Sequence, residues 1–152
     1  MSKPFRSLKF ATLDDCFADL DRLARGGAIP HGNWNLAQIC NHCAFFAECP
    51  VQGFNYKVPW MIRVTLGRYL KWKFVNKGMT PGGPTLQQSV YEPGGDEAAA
   101  VARLKKAMQD LWTAPEPFHV SPFFGPTTRE EWQKINLNHC SHHFGYLEPK
   151  SS

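Results

Sequence analysis

Thr127–Leu147, TTREEWQKINLNHCSHHFGYL, is the stretch whose reading decides the fold. Thr128 followed three residues later by Glu131 is a capping box, and Glu130 and Glu131 place negative charge in the first turn, where the helix dipole favours it. On a helix turning about 100° per residue, Trp132, Ile135, His142, His143 and Tyr146 all fall within about 60° of His139. Histidines therefore share the stripe that should face the core. An unpaired buried imidazole costs about 1–3 kcal/mol, so these side chains need partners. His139 and His143, four residues apart, can aim at one point and share a metal ion. Core or interface histidines satisfied by water or by other side chains would produce the same spacing.

Working outward, the segment before this helix, APEPFHVSPFFGPTT, holds too many prolines to be an element, and its three phenylalanines should tuck into the end of the helical core. His119 within it reads as a surface or loop-anchoring histidine, with a role in the site as the alternative. Asp96 caps an earlier helix, EAAAVARLKKAMQDLW, with Val101, Leu104, Met108, Leu111 and Trp112 on one stripe. Arg103, Lys105, Lys106 and Asp110 read most simply as its solvated face. Residues 79–95 contain so many Gly and Pro that they predict a loop, long enough to serve as a lid or rim.

Further upstream, Thr12 and Asp15 form a second capping box before Leu13, Cys16, Phe17, Leu20, Leu23 and Ala24, predicting a helix over residues 12–25 that the Gly26-Gly27 pair stops. The next helix starts near Asn33 to Asn35 and runs to Pro50, with Ile39, Phe45, Phe46 and Cys49 within about 60° of His42. His42 thus faces an apolar stripe too. PWMIRVTLGRYLKWKFVNKG predicts a third helix, with Pro59 in its first turn and Gly78 at its end. Its apolar positions go most of the way round, interleaved with Arg63, Arg68, Lys71, Lys73 and Lys77. A packed helix or dimer contact with snorkelling cations is the simpler reading, and a basic helix lying on an anionic membrane the other. Gly67 argues against a single unbroken helix.

Composition agrees with one compact domain spanning residues 1–152: 43% of the residues are hydrophobic, enough for a real core in a chain too short for two. A net charge of +4 without runs of like charge excludes the usual nucleic-acid binder and suits an anionic small molecule. The absence of an apolar signal core or a long uncharged run predicts a cytoplasmic protein without a membrane partner. Five cysteines are an odd number, favouring reduced thiols. Cys40 and Cys43 form a CxxC that would lie mid-helix, away from the face of His42, so buried structural thiols are expected. No segment alternates with period two long enough to predict a strand.

The expected fold is all-α, a four-helix bundle with an additional short or broken helix. Bundles build metal sites from side chains on facing helices. His42 on one stripe, with His139 and His143 on another, would supply three neutral nitrogens and leave a fourth position open, the layout of a catalytic site. His142 is then a neighbour.

The pairing of NWNLAQICNH with PFFGPTTREEWQKINLNHCSHHFGYL resembles the DinB-like (YfiT-like) superfamily, a group classed as metalloenzymes, in one of its uncharacterised branches. The resemblance spans nearly the whole chain in helix order. It implies a four-helix bundle, often dimeric, whose three histidines, here His42, His139 and His143, bind a divalent metal: zinc or nickel ahead of iron or manganese. Some members transfer or isomerise substrates using low-molecular-weight thiols such as bacillithiol, mycothiol or glutathione. This chain has Phe144-Gly145-Tyr146 after His143 instead of the commoner H-R-G-Q ending, which bears on the substrate more than on the metal. The implied function is thiol-dependent transfer or hydrolysis of a small-molecule substrate. The alternative is a non-catalytic, metal-stabilised dimeric bundle or small-ligand binder, which Leu137 and Phe144 favour: they lie opposite the proposed ligands and give the last helix a second apolar face. Residues that would catalyse, beyond the ligands, are not identified by the sequence.

Overall fold

A computed structural model of the chain describes residues 3–83 and 85–150. Three capping boxes start three helices where the side-chain pattern places them. α1 (Leu13–Gly26) opens on Thr12 and Asp15, α2 (Leu36–Gln52) on Asn35 and Gln38, and the last helix, Arg129–Phe144, on Thr128 and Glu131. In each, the cap side chain accepts from the third backbone N–H while the third side chain accepts from the cap's own N–H. Each N-cap is worth about 1 kcal/mol.

Between α2 and the last helix lie two more. α3 is built of three consecutive pieces: α-helical Trp60–Ile62, a π-helical turn Arg63–Gly67 and α-helical Arg68–Asn76. α4 (Glu97–Thr113) is capped by Asp96, whose carboxylate accepts from the Ala99 N–H at 3.1 Å. The last helix is α5. Its Arg129 reaches back to the C-terminal end of α4 and donates to the carbonyls of Leu111, Trp112 and Ala114. Those are carbonyls the helix end leaves without internal partners.

α2 packs most extensively on α4, and α1, α4 and α5 also touch one another, while α3 leans on α5. The main core lies among α1, α2, α4 and α5, filled by Leu20, Leu23, Ile39, Leu104, Met108 and Phe144. Fully burying each such side chain contributes about 1.5–3 kcal/mol. A second cluster at one end joins Leu111, Trp132 and Ile135 to Phe54, Phe74, Phe118 and Phe124, so rings of the Pro-rich connector do fold into the end of the helical core. All five cysteines are free and buried, Cys40 and Cys43 within the core, and burial pushes the Cys49 thiol up to about 11.

Several expectations are corrected. The chain is mostly helical, yet Ala28–Pro30 and Leu147–Pro149 form a two-stranded antiparallel sheet in which Ile29 lies opposite Glu148. Three-residue strands are too short to show an alternation, and Gly27, at φ +84°, makes the turn that leads into the first of them. α2 continues through Pro50 to Gln52, because a proline this near the end forfeits one helical bond while Gly53 N–H still reaches the Cys49 carbonyl at 2.9 Å. Arg103 is not simply a solvated charge: it grips both Glu48 oxygens at 2.8 and 2.7 Å and bonds Asn41 and Tyr91, tying α4 to α2. Lys105 pairs with Asp21 of α1 at 2.5 Å. Leu137 and Phe144 are buried inside the chain's own core, so their face of α5 needs no second copy to cover it. Among the described residues, no helix is long and apolar enough to cross a membrane.

Candidate metal centre

Asn35 fixes the phase of α2, and two turns later that phase turns His42 inward; Thr128 does the same for α5, where His139 and His143 occupy successive turns of one face. The three side chains converge. One ring nitrogen from each lies within 4.8 Å of the others, and among the described residues this is the one group of His, Cys, Asp or Glu side chains so arranged. His42 Nε2 and His139 Nε2 are 3.0 Å apart. The ring centroids stand 4.6–4.8 Å from one another with planes 61–78° apart, so the imidazoles meet edge to face around a common point.

A main-chain group sets the tautomer of His42. Its Nδ1–H donates to the Ser89 carbonyl at 3.0 Å, and since a carbonyl only accepts, the ring proton must sit on Nδ1. The Nε2 lone pair therefore points at His139. Without an ion this contact closes as a hydrogen bond when His139 carries its proton on Nε2; with an ion both nitrogens can offer lone pairs. Zinc–nitrogen bonds of about 2.0–2.1 Å space two tetrahedral ligands about 3.4 Å apart, close to the separation found here. One nitrogen of His143 lies within 4.8 Å of both.

Desolvation keeps all three rings neutral, the form that can ligate. Burial lowers His42 to about 4 against the Ser89 hydrogen bond, which pulls upward. Burial also holds His139 and His143 well below the ordinary imidazole range, with neighbouring histidines pushing the same way. The walls are aromatic: Trp34 stacks on His143 at 5.6 Å and tilts over His42 at 4.8 Å, while Phe46 sets its edge against His42 and His139, each at 5.2 Å.

A family model described as "Protein of unknown function (DUF1569)" matches residues 2–150. The chain belongs to the DUF1569 family. No curated protein and no solved structure matches it. In this DUF1569 chain the structure brings together all three histidines singled out as candidate ligands, His42, His139 and His143. His142 lies beside them, half-buried, its ring 4.9 Å from His143 and 5.5 Å from Tyr146, outside the three-nitrogen group. His119 is exposed near Gly53 and takes no part, although its backbone N–H anchors the connector to the Pro50 carbonyl at 3.0 Å.

Sequence reasoning read residues 79–95 as a loop fit for a lid or rim and missed the atom it contributes. That loop carries a short 3-10 turn, Gln87–Ser89, which delivers the Ser89 carbonyl to His42. Gln38 holds the loop in place by donating from Nε2 to the Tyr91 carbonyl at 2.8 Å. A carbonyl belongs to every residue, so no side-chain pattern signals it. Trp34 had a signal, its place directly before the helix cap, and Phe46 shares the His42 stripe; the weight of both in the site emerges only from the ring contacts.

Proposed function

We propose that this protein holds a divalent metal on His42, His139 and His143, inside a four-helix bundle of α1, α2, α4 and α5 with α3 as the added broken helix. The observation that carries the reading is the Ser89-locked lone pair of His42 aimed at two further desolvated, neutral imidazoles. Three imidazoles suit zinc or nickel ahead of iron or manganese, and leave a position for an exchangeable group. An ion bound there supplies Lewis acidity, lowering the pKa of a water or thiol so that a nucleophile exists at neutral pH. The protein's own side chains do the rest. Ser89 and Gln38 orient the ligand set, Trp34 and Phe46 keep bulk water off it, and burial holds the imidazoles unprotonated.

The DinB-like resemblance extends this to thiol-dependent transfer or hydrolysis of a small-molecule substrate in the cytoplasm, with a low-molecular-weight thiol as cosubstrate. A metal-stabilised bundle without turnover is the second reading, favoured by walls of Trp34 and Phe46, side chains that offer neither acid nor base. The test is metal analysis of protein purified without an affinity tag, beside His42→Ala and His139→Ala. Near-stoichiometric metal in the parent and its loss in both variants supports the site; equal trace metal in all three removes it. A panel of thiols and electrophiles then separates the two readings, since only the enzyme shows turnover that a chelator abolishes.

A further inference from the structure

α3 inverts the ordinary rule of burial. Seven of the eleven strongly exposed large hydrophobic side chains among the described residues belong to it, and Trp60, Met61, Leu66, Tyr69 and Trp72 each expose half or more of their surface. Scattered exposed apolar residues need no explanation, whereas this many gathered on one helix mark a contact surface. Gly67 and Phe74 fasten α3 to the protein. Gly67 lies so close to the Phe123 backbone that an added Cβ would come 1.9 Å from the carbonyl oxygen, and Asn138 donates to the Phe74 carbonyl at 2.6 Å. The apolar side is thereby held outward.

Charge identifies what covers it. Between Glu48 and Glu92 the chain has six basic residues, Lys57, Arg63, Arg68, Lys71, Lys73 and Lys77, and no acidic one. The rest of the chain is net negative, so the whole positive surplus accompanies the exposed apolar face. Arg63, Arg68 and Lys71 line a cavity of about 500 Å³ beside that face, together with Trp72 and Phe124. Glu131 also lines it and partly offsets Lys71, 3.4 Å away. Arg63 and Arg68 have no ion-pair partner among the described residues. A second copy docking face to face would set these cations against their equivalents with no acid in the segment to receive them. Exposed aromatic and aliphatic side chains interleaved with Lys and Arg on one helix are instead the composition of a helix that lies in a lipid interface.

We propose that α3 is a peripheral docking helix for anionic lipid surfaces, with Trp60, Met61, Leu66, Tyr69 and Trp72 entering the headgroup region and Arg63 and Arg68 contacting lipid phosphates. The metal site plays no part in this contact. The test is co-sedimentation of the full chain with phosphatidylcholine vesicles, with and without phosphatidylglycerol, at low and at physiological salt. The wild-type protein should partition onto the anionic vesicles and less so as salt rises. Leu66→Glu should weaken this by tenfold or more, and Arg68→Gln by about fivefold. Both positions are exposed, so far-UV circular dichroism should be unchanged; should Leu66→Glu misfold, Arg68→Gln alone decides the matter. No sedimentation at low salt, or equal partitioning of wild type and Arg68→Gln, overturns the proposal. So does a wild-type dimer in sedimentation velocity that Leu66→Glu converts to monomer without any vesicle binding, since a second copy would then cover the face.

Discussion

The histidine site and α3 break the same rule in opposite directions. At the site, polar rings lie where apolar ones are usual: His42 and His139 are buried among Trp34, Phe46 and each other. On α3, apolar rings and chains lie where polar ones are usual. A buried polar group and an exposed apolar patch are the two departures that carry information about function, because each costs free energy unless something satisfies it. The difference between them is where the satisfaction comes from. The imidazoles already have part of theirs inside the chain, from the Ser89 carbonyl and from one another. Met61 and Trp72 still leave more than half of their surface uncovered by the described residues.

That contrast yields expected outcomes of decreasing size. The largest tests whether the back of α5 is covered from inside: Phe144→Ala, at a fully buried side chain, should cost about 3–5 kcal/mol in denaturant unfolding, and a loss under 1 kcal/mol would show that the face is not packed as described. Next comes acid titration of chelator-treated protein. Burial sets His42 at about 4 in the folded state against an ordinary 6.5, so the unfolded chain binds a proton that the folded chain refuses. Stability is full above pH 6.5 and falls as pH drops toward 4, by on the order of 3 kcal/mol from this residue, with His139 and His143 adding in the same direction. A denaturation midpoint flat across that window would contradict the desolvated site. The smallest effect belongs to α3. Met61→Ser should leave unfolding stability within about 0.5 kcal/mol, and a loss above 2 kcal/mol would mean that the residue is already covered.

Much of the fold was legible because its signals are local. A capping side chain and its partner three residues on announce a helix start within one turn of sequence, which is why Thr12 and Thr128 begin helices where they are expected, while of the two asparagines open as caps of α2 it is Asn35 that serves. The inward phase of His42, His139 and His143 follows from the same arithmetic. Signals that depend on distant neighbours were not legible. Arg103 looks solvated on its own helix, and only the approach of α2 gives it Glu48. Phe144 looks outward on a wheel centred on His139, because a wheel assumes one buried face whereas α5 is packed on both. Gly67 hinted at a break in α3, and the structure explains it by a close pass of the Phe123 carbonyl and a π-helical turn.

The Ser89 carbonyl has a practical consequence for anyone dissecting the site. An alanine at Ser89 removes its side chain and leaves the peptide oxygen in place, so it would pass over the atom that determines which nitrogen of His42 is bare. Only altering the path of the backbone, by shortening the 79–95 segment or by cutting its tether at Gln38, can let the ring swap its proton to the other nitrogen.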